Sequence, residues 1–361
     1  MRTSTIDLGA RSYRIHLGRD ILKELPGIAS SLKLPLPFAV VTDRNVASMH
    51  LRKLLKVLGV RRVPSSAVVI PPGERQKSLR RAEAITTALL ESGYARSAPI
   101  AAFGGGVVGD VTGLVAALYR RGSPLIQIPT TLLAQVESAI GGKVGVNHAL
   151  AKNAIGTFYQ PRVVLSDVVL LETLPRREII CGLGEIAKYA ILDAEILGFL
   201  EAHLDSIMAL DPEVLEETIA LCNVIKARLV SNDERETDPA GGRNVLNLGH
   251  RIGHALEHLS HFRLHHGEAV VVGLRLELEI AKEAGVVDPA GYENIKRLLD
   301  RIDYWPRLGF IRPAQVVSEI FGGKGRAAFV LPVSVGRVTS TGSIEPRLVL
   351  SVLKRGLVSK K

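Results

Sequence analysis

The chain has 361 residues, 47% of them hydrophobic and 4% aromatic, with a formal net charge of +10. That length and apolar content predict two domains with substantial cores, while no apolar stretch is both long and uncharged enough for a bilayer span, the N-terminus lacks the apolar segment of a signal peptide, and Cys181 and Cys222 are too few for a disulfide framework, so a cytoplasmic protein is expected. The basic residues are spread along the chain without a helix-turn-helix, RRM or zinc-finger pattern, which argues against nucleic acid as partner and for a basic cleft that takes a small anionic substrate.

Residues 5–17 read as a β-hairpin turning at Gly9-Ala10-Arg11. Residues 38–43 form a short apolar run ending in Asp43, as a buried parallel strand does. Helical sequence follows over 51–58. A second strand covers 67–70, closed by Pro71-Pro72-Gly73-Glu74, and 78–92 has helical spacing. Strands three to five are predicted at 99–103, 125–129 and 163–167. Strands alternating with helices predict an α/β domain with a mostly parallel sheet. After Leu174-Pro175 the texture changes. Residues 176–230 and 245–300 are helix-periodic, so the chain divides into an α/β domain, 1–174, and an all-α domain, 175–361. Residues 236–242 form a polar turn, and Phe329-Val-Leu-Pro332 is a late apolar piece able to pack back on the helices.

Phe103-Gly104-Gly105-Gly106-Val107-Val108-Gly109-Asp110 follows a strand and opens a helix. It contains G-x-G-x-x-G, which lets backbone N–H groups approach a pyrophosphate at a helix N-terminus; a tight structural turn is the plainer reading. The acidic residue expected about 20 positions on in a dinucleotide site is not evident, and Asp43 is the alternative for ribose hydroxyls. Lys143, Lys152 and Asn153 recur within loop-like sequence near glycines, which suits a phosphorylated substrate or merely a solvated surface. Glu185 and Lys188 stand at i, i+3 on a helix in apolar surroundings, so the pair is expected to be partly buried. A buried carboxylate needs a partner, and a metal would serve. Lys226, Arg243 and Asn247 add cationic and amide groups ahead of a histidine cluster; Arg243 suits bidentate carboxylate recognition.

Six of the ten histidines fall between His250 and His266. A spacing of four puts His250 and His254 on one helix face, and His266 follows a short break from which its imidazole could close on the same point. Two His and one carboxylate make an open zinc site; the alternative is a His-rich solvated face. His258, His261 and His265 read as surface residues either way.

Taken in order, these segments resemble the 3-dehydroquinate synthase family of sugar phosphate cyclases, from Thr42-Asp43-Arg44-Asn45 to His266-Gly267-Glu268. The matching blocks are Pro72-Gly73-Glu74 with Lys77, Gly104 to Asp110, Tyr119-Arg120-Arg121-Gly122, Pro129-Thr130-Thr131-Leu-Leu-Ala-Gln-Val136, Gly141-Gly142-Lys143, Lys152-Asn153, Thr173-Leu-Pro175, Gly184-Glu185-Ile-Ala-Lys188, Asn247-Leu-Gly-His250-Arg-Ile-Gly-His254 and His266-Gly-Glu268. The resemblance implies a nucleotide-binding α/β domain and a helical metal-binding domain with the active site between them. The implied reaction converts 3-deoxy-D-arabino-heptulosonate 7-phosphate to 3-dehydroquinate and phosphate, in the shikimate pathway. A substrate carbon is oxidised with NAD, phosphate is eliminated, the hydride is returned, and the ring opens and recloses by an aldol step.

By match, Asp43, Asn45, Glu74, Lys77, Gly105, Gly106, Val107, Asp110, Thr130, Thr131, Lys143, Lys152 and Thr173 contact NAD. Glu185, His250 and His266 bind Zn2+ or Co2+. Lys143, Lys152, Asn153, Lys188, Lys226, Arg243, Asn247, His254 and Glu137 line the substrate site, and Arg121 reaches the substrate phosphate of a partner in a homodimer. The chain departs from the family at Glu137, where Asp is usual, at a missing Asp-Lys-Lys block for which Lys324 is the candidate substitute, and in a turn lengthened by Asp238-Pro-Ala. The rivals are a cyclase acting on a heptulose phosphate without a carboxylate, which the retained Lys226, Arg243 and Asn247 argue against, and a metal-dependent polyol dehydrogenase that would consume NAD.

Overall fold

The computed structural model describes residues 1–59, 67–238, 242–323 and 325–358. Lys324 and the Pro-Ala of the lengthened turn lie outside the described residues. The chain forms two compact units. The first is Met1–Glu178 with Leu210–Ser231, the second Ile179–Ala209 with Asn232–Lys361.

The first unit is built on seven strands: β1 (Arg2–Ile6), β2 (Tyr13–Gly18), β3 (Ala39–Asp43), β4 (Ala67–Ile70), β5 (Ile100–Gly104), β6 (Leu125–Pro129) and β9 (Val163–Asp167). Their order is β1-β2-β9-β6-β5-β3-β4, parallel except for the β1–β2 hairpin. The near-continuous apolar runs are explained by burial on both faces. Val40, Ala101, Phe103 and Ile126 enter one core, and Val41, Ile100, Ala102 and Leu125 the other. The expected strands and the 78–92 helix are present, the latter as Leu79–Glu91 with Ser78 Oγ accepting from Arg81 N.

In the first unit two further strands were not foreseen. The segment expected to be loop-like is a hairpin of β7 (Lys143–His148) and β8 (Ala151–Phe158). Val146 packs into the cluster with Val111, Leu114 and Val115 of the helix Gly106–Leu118. Burial along one face of β7 makes it a strand despite its polar residues.

The division between units also differs from a cut at 174. The helix Pro212–Asn232 belongs mainly to the first unit, because Ala227 and Val230 join Ile6, Tyr13, Ile15, Ala139 and Ile140 in one core. Asp7 N donates to Ser231 Oγ at 2.9 Å.

The second unit is mostly helical: Arg176–Leu192, Ala194–Met208, His250–Leu259, His266–Glu283, Pro289–Arg301, Pro313–Phe321 and Pro346–Val358. It is not all-α. An antiparallel ribbon, β10 (Ala327–Ser334) with β11 (Arg337–Ile344), completes it. The late apolar piece does pack back: Phe329 and Leu331 share a core with Ile252, Leu256, Val272 and Leu276. Among the described residues no helix is long and apolar enough to cross a membrane.

Candidate metal and nucleotide sites

In the first unit β5 runs into Gly105, which precedes the helix Gly106–Leu118. Gly105, at the N-cap, has no side chain to cap that helix, and the first N–H groups have no intrahelical partner. A Cβ on Gly105 would meet Thr131 Cγ2 at 3.0 Å, so the backbone lies close under the Thr130-Thr131 turn. Asp43, at the end of β3, accepts from Asn45 N at 2.8 Å and Val46 N at 3.1 Å. Thr173 Oγ1 lies 2.9 Å from His50 Nε2.

One turn into the helix, Asp110 pairs with Lys77 at 2.5 Å. Burial pushes the Asp110 carboxyl up, Lys77 pulls it back, and nearby Glu74 and Lys152 act in opposite senses. Glu74 Oε1 accepts from Asn147 Nδ2 at 2.8 Å, and Asn147 Oδ1 accepts from Asn153 N at 2.9 Å. Asn153 is in the left-handed region at φ 54°. Asn147 thus ties the β7–β8 hairpin to the Glu74–Lys77 turn. Sequence reasoning passed over it, because an Asn four residues after Lys143 carries no signal until the hairpin is known.

Lys143 and Asn153 are exposed and Lys152 half-buried. Arg121 is exposed next to Arg120, both with positive φ, 69° and 48°. Lys226 is buried, and its ammonium donates to the Glu137 carboxylate and to Glu137 O at 2.5 Å. The longer Glu137 side chain thus reaches Lys226 directly.

In the second unit three segments bring the expected metal ligands together. Glu185, on Arg176–Leu192, is fully buried. Its Oε1 lies 3.1 Å from His266 Nε2 and 3.4 Å from His250 Nε2, and its Oε2 is 2.6 Å from Lys188 Nζ, itself fully buried. Burial opposes ionisation of Glu185, but Lys188, His250 and His266 hold its carboxyl well below the usual range. His250 Nδ1 is tied to Leu248 O at 3.0 Å.

His254 stands one turn on, its ring centroid 5.3 Å from that of His250 and 5.6 Å from that of His266. The donor atoms of the three histidines all lie within 4.8 Å of one another. His254 is exposed, His266 half-buried and His250 buried. Two or three imidazoles with one carboxylate at these separations match the nitrogen and oxygen donors that zinc or cobalt takes.

Glycines allow the ligand-bearing segments to meet. A Cβ on Gly267, the residue after His266, would fall 1.9 Å from Cys181 O, and one on Gly184, before Glu185, 2.3 Å from Gly267 O. Likewise a Cβ on Gly273 would fall 1.9 Å from Gly249 O, just ahead of His250. Any side chain at these contacts would push the helices apart.

Arg243 is buried; its N donates to Asp233 Oδ2 at 3.2 Å and its Nη1 to Glu234 O at 2.8 Å. Asn247 Nδ2 donates to Glu236 Oε1 at 2.5 Å and Asn244 Oδ1 at 2.8 Å.

The 3-dehydroquinate synthase N-terminal family model matches residues 67–181, and the C-terminal model 182–321. The 3-dehydroquinate synthase of Acidithiobacillus ferrooxidans is 39% identical over 98% of this chain and 98% of its own. A 2-deoxy-scyllo-inosose synthase complexed with carbaglucose-6-phosphate, NAD+ and Co2+ superposes with a TM-score of 0.85 at 25% identity, covering 99% of this chain and 100% of that one. The 2-epi-5-epi-valiolone synthase of Streptomyces hygroscopicus, with NAD+ and Zn2+ bound, gives 0.85 at 26% identity over 100% of both chains. Matched by both family models and by relatives of this identity along its whole length, the chain belongs to the 3-dehydroquinate synthase family.

Proposed function

We propose that the protein is a 3-dehydroquinate synthase that converts 3-deoxy-D-arabino-heptulosonate 7-phosphate to 3-dehydroquinate and phosphate, a carbon–oxygen lyase that uses NAD catalytically. The observation that carries this reading beyond family membership is the convergence of His250 and His266 Nε2 on the buried Glu185 carboxylate. Zinc or cobalt held by Glu185, His250 and His266 would polarise substrate hydroxyls at the carbon being oxidised, and NAD held by the Gly104–Asp110 turn with Asp43, Asn45, Glu74, Lys77, Thr130, Thr131 and Thr173 would take up and return the hydride.

The chain's own residues then bind, orient and move charge. Arg243 offers a planar fork for the substrate carboxylate, with Lys226 and Asn247 beside it in role. Lys226 already engages Glu137, so a substrate that takes up this ammonium exchanges one anionic partner for another. Lys188 places a positive charge 2.6 Å from the ligand carboxylate. Lys143, Lys152 and Asn153 suit the phosphate.

His254, exposed beside the two buried or half-buried imidazoles, faces the phosphate in this reading. The departing phosphate takes the neighbouring proton itself, so no dedicated protein base is required. The later ring opening and aldol closure need orientation more than new groups. Arg121 serves the phosphate of a partner subunit in a homodimer, and the location is the cytoplasm, in keeping with a chain of only two cysteines, both buried.

The test is to supply purified protein, loaded with zinc and NAD, with the heptulosonate phosphate or with a heptulose 7-phosphate lacking the carboxylate. Phosphate and dehydroquinate should form from the first at far the higher kcat/KM. Preference for the carboxylate-free sugar would replace this reading with that of a different cyclase.

A further inference from the structure

Glu257 is a buried carboxylate, 2% exposed, on the same helix as His250 and His254. A carboxylate in that position costs stability unless it is partnered. Its Oε2 lies 2.9 Å from Nδ1 of His266. A carboxylate only accepts, so Nδ1 carries the hydrogen, and the opposite edge of the ring, Nε2, is the one aimed at Glu185 Oε1, 3.1 Å away. His250 is arranged the same way, with Nδ1 on a partner and Nε2 toward Glu185, but its partner is the backbone carbonyl of Leu248.

Of the two imidazoles, His266 is thus oriented by a side chain that can be substituted and that carries charge. The rest of Glu257 is fixed as well. Its carbonyl accepts from Phe262 N at 3.0 Å and Ser260 Oγ at 2.8 Å, within the turn that leads to His266.

We propose that Glu257 is a positioning residue of the metal centre: its carboxylate locks the His266 ring with Nε2 toward the ion and strengthens that nitrogen as a donor. The proposal rests on the reading of Glu185, His250 and His266 as ligands. Partners of this kind fix both the tautomer and the basicity of a ligating imidazole, and their loss costs about 10–100-fold in metal affinity or activity.

The test uses the full chain, stripped by a chelator and titrated with cobalt. Metal affinity and the visible cobalt spectrum are read, together with the melting temperature of the metal-free protein. Glu257→Ala should weaken cobalt binding about 10–100-fold and change the spectrum. Glu257→Gln keeps an oxygen that accepts from Nδ1 but loses the charge; it should bind with intermediate affinity while melting like the parent without metal. Should the alanine variant fail to fold, the glutamine variant carries the test. Wild-type affinity and spectrum in Glu257→Gln would overturn the proposal. A His266→Ala control that binds cobalt as tightly as the parent would show instead that the ligand assignment had failed, and the proposal with it.

Discussion

In the first unit the groups we propose for the cofactor are offered largely by backbone and strand ends, such as the open N-terminus after Gly105 and the Asp43 cap. In the second unit the groups proposed for the metal are side chains, and each is held by another group: Glu185 by Lys188, His250 by Leu248 O, His266 by Glu257. The contrast follows from the ligands. A dinucleotide is held by many contacts of modest strength. A metal centre needs a few donors within about half an ångström of ideal positions, so their rotamers must be locked.

The sharpest way to break the contrast is to remove a metal ligand. Glu185→Ala leaves Lys188 buried beside two imidazoles without its carboxylate. It should abolish metal binding and cost activity by several kcal/mol of transition-state stabilisation, while NAD still binds. Metal analysis and cofactor titration of the same preparation check this. Stoichiometric metal in the variant would show that the three histidines suffice.

The next comparison sets His254→Ala against His250→Ala. Helical spacing and the shared 4.8 Å cluster allow both to ligate. In our reading only His250→Ala loses metal, and His254→Ala keeps it but loses about 10²-fold in turnover, the scale of a misplaced substrate group. Equal metal loss in the two would make His254 a ligand.

Close packing supplies a third comparison. Gly267→Ala forces a Cβ onto Cys181 O and should destabilise the second unit by about 1–3 kcal/mol or more, with weaker metal binding. In Gly105→Ala the nearest atom is the Thr131 methyl at 3.0 Å. That variant should fold nearly as well and show its effect in the Kd for NAD. Equal loss of stability in the two, measured by denaturant titration, would erase the distinction.

A fourth comparison concerns pH. Glu277 accepts from Gly249 N at 2.7 Å and Ile252 N at 3.0 Å, which pins the start of the His250 helix. Burial pushes its carboxyl from 4.5 up to about 8, against those hydrogen bonds. A carboxyl raised on folding contributes its full stability below its unfolded pKa and loses it as pH rises through the folded one. Stability from this group should therefore decline between about pH 4.5 and 8, and Glu277→Gln should flatten that part of the Tm–pH curve. An unchanged slope would mean that Glu277 is ionised in the folded protein.

The contrast between units also decides what could be read from the sequence. Gly104 to Asp110 was legible as a strand-to-helix turn because an apolar run ends there in glycines, and His250 with His254 because helical periodicity puts them on one face. Glu257 and Glu277 were not. Each looks like an ordinary helix glutamate, and only the packing of one helix on another reveals what it touches. The β7–β8 hairpin escaped because its lysines and glycines read as loop, whereas burial of Val144 and Val146 makes it a strand pair. The helix Pro212–Asn232 read correctly as a helix. Periodicity shows which face is apolar, but not that Ala227 and Val230 would return to the core beneath β1 and β2.

The central claim is that NAD is regenerated within each turnover, and the most direct measurement is the ratio of phosphate released to NADH accumulated in the steady state, with the heptulosonate phosphate as substrate and NAD equimolar to enzyme. The account predicts many phosphates per NAD with no net rise in NADH absorbance. One NADH per phosphate, with turnover halting when NAD is exhausted, would contradict it.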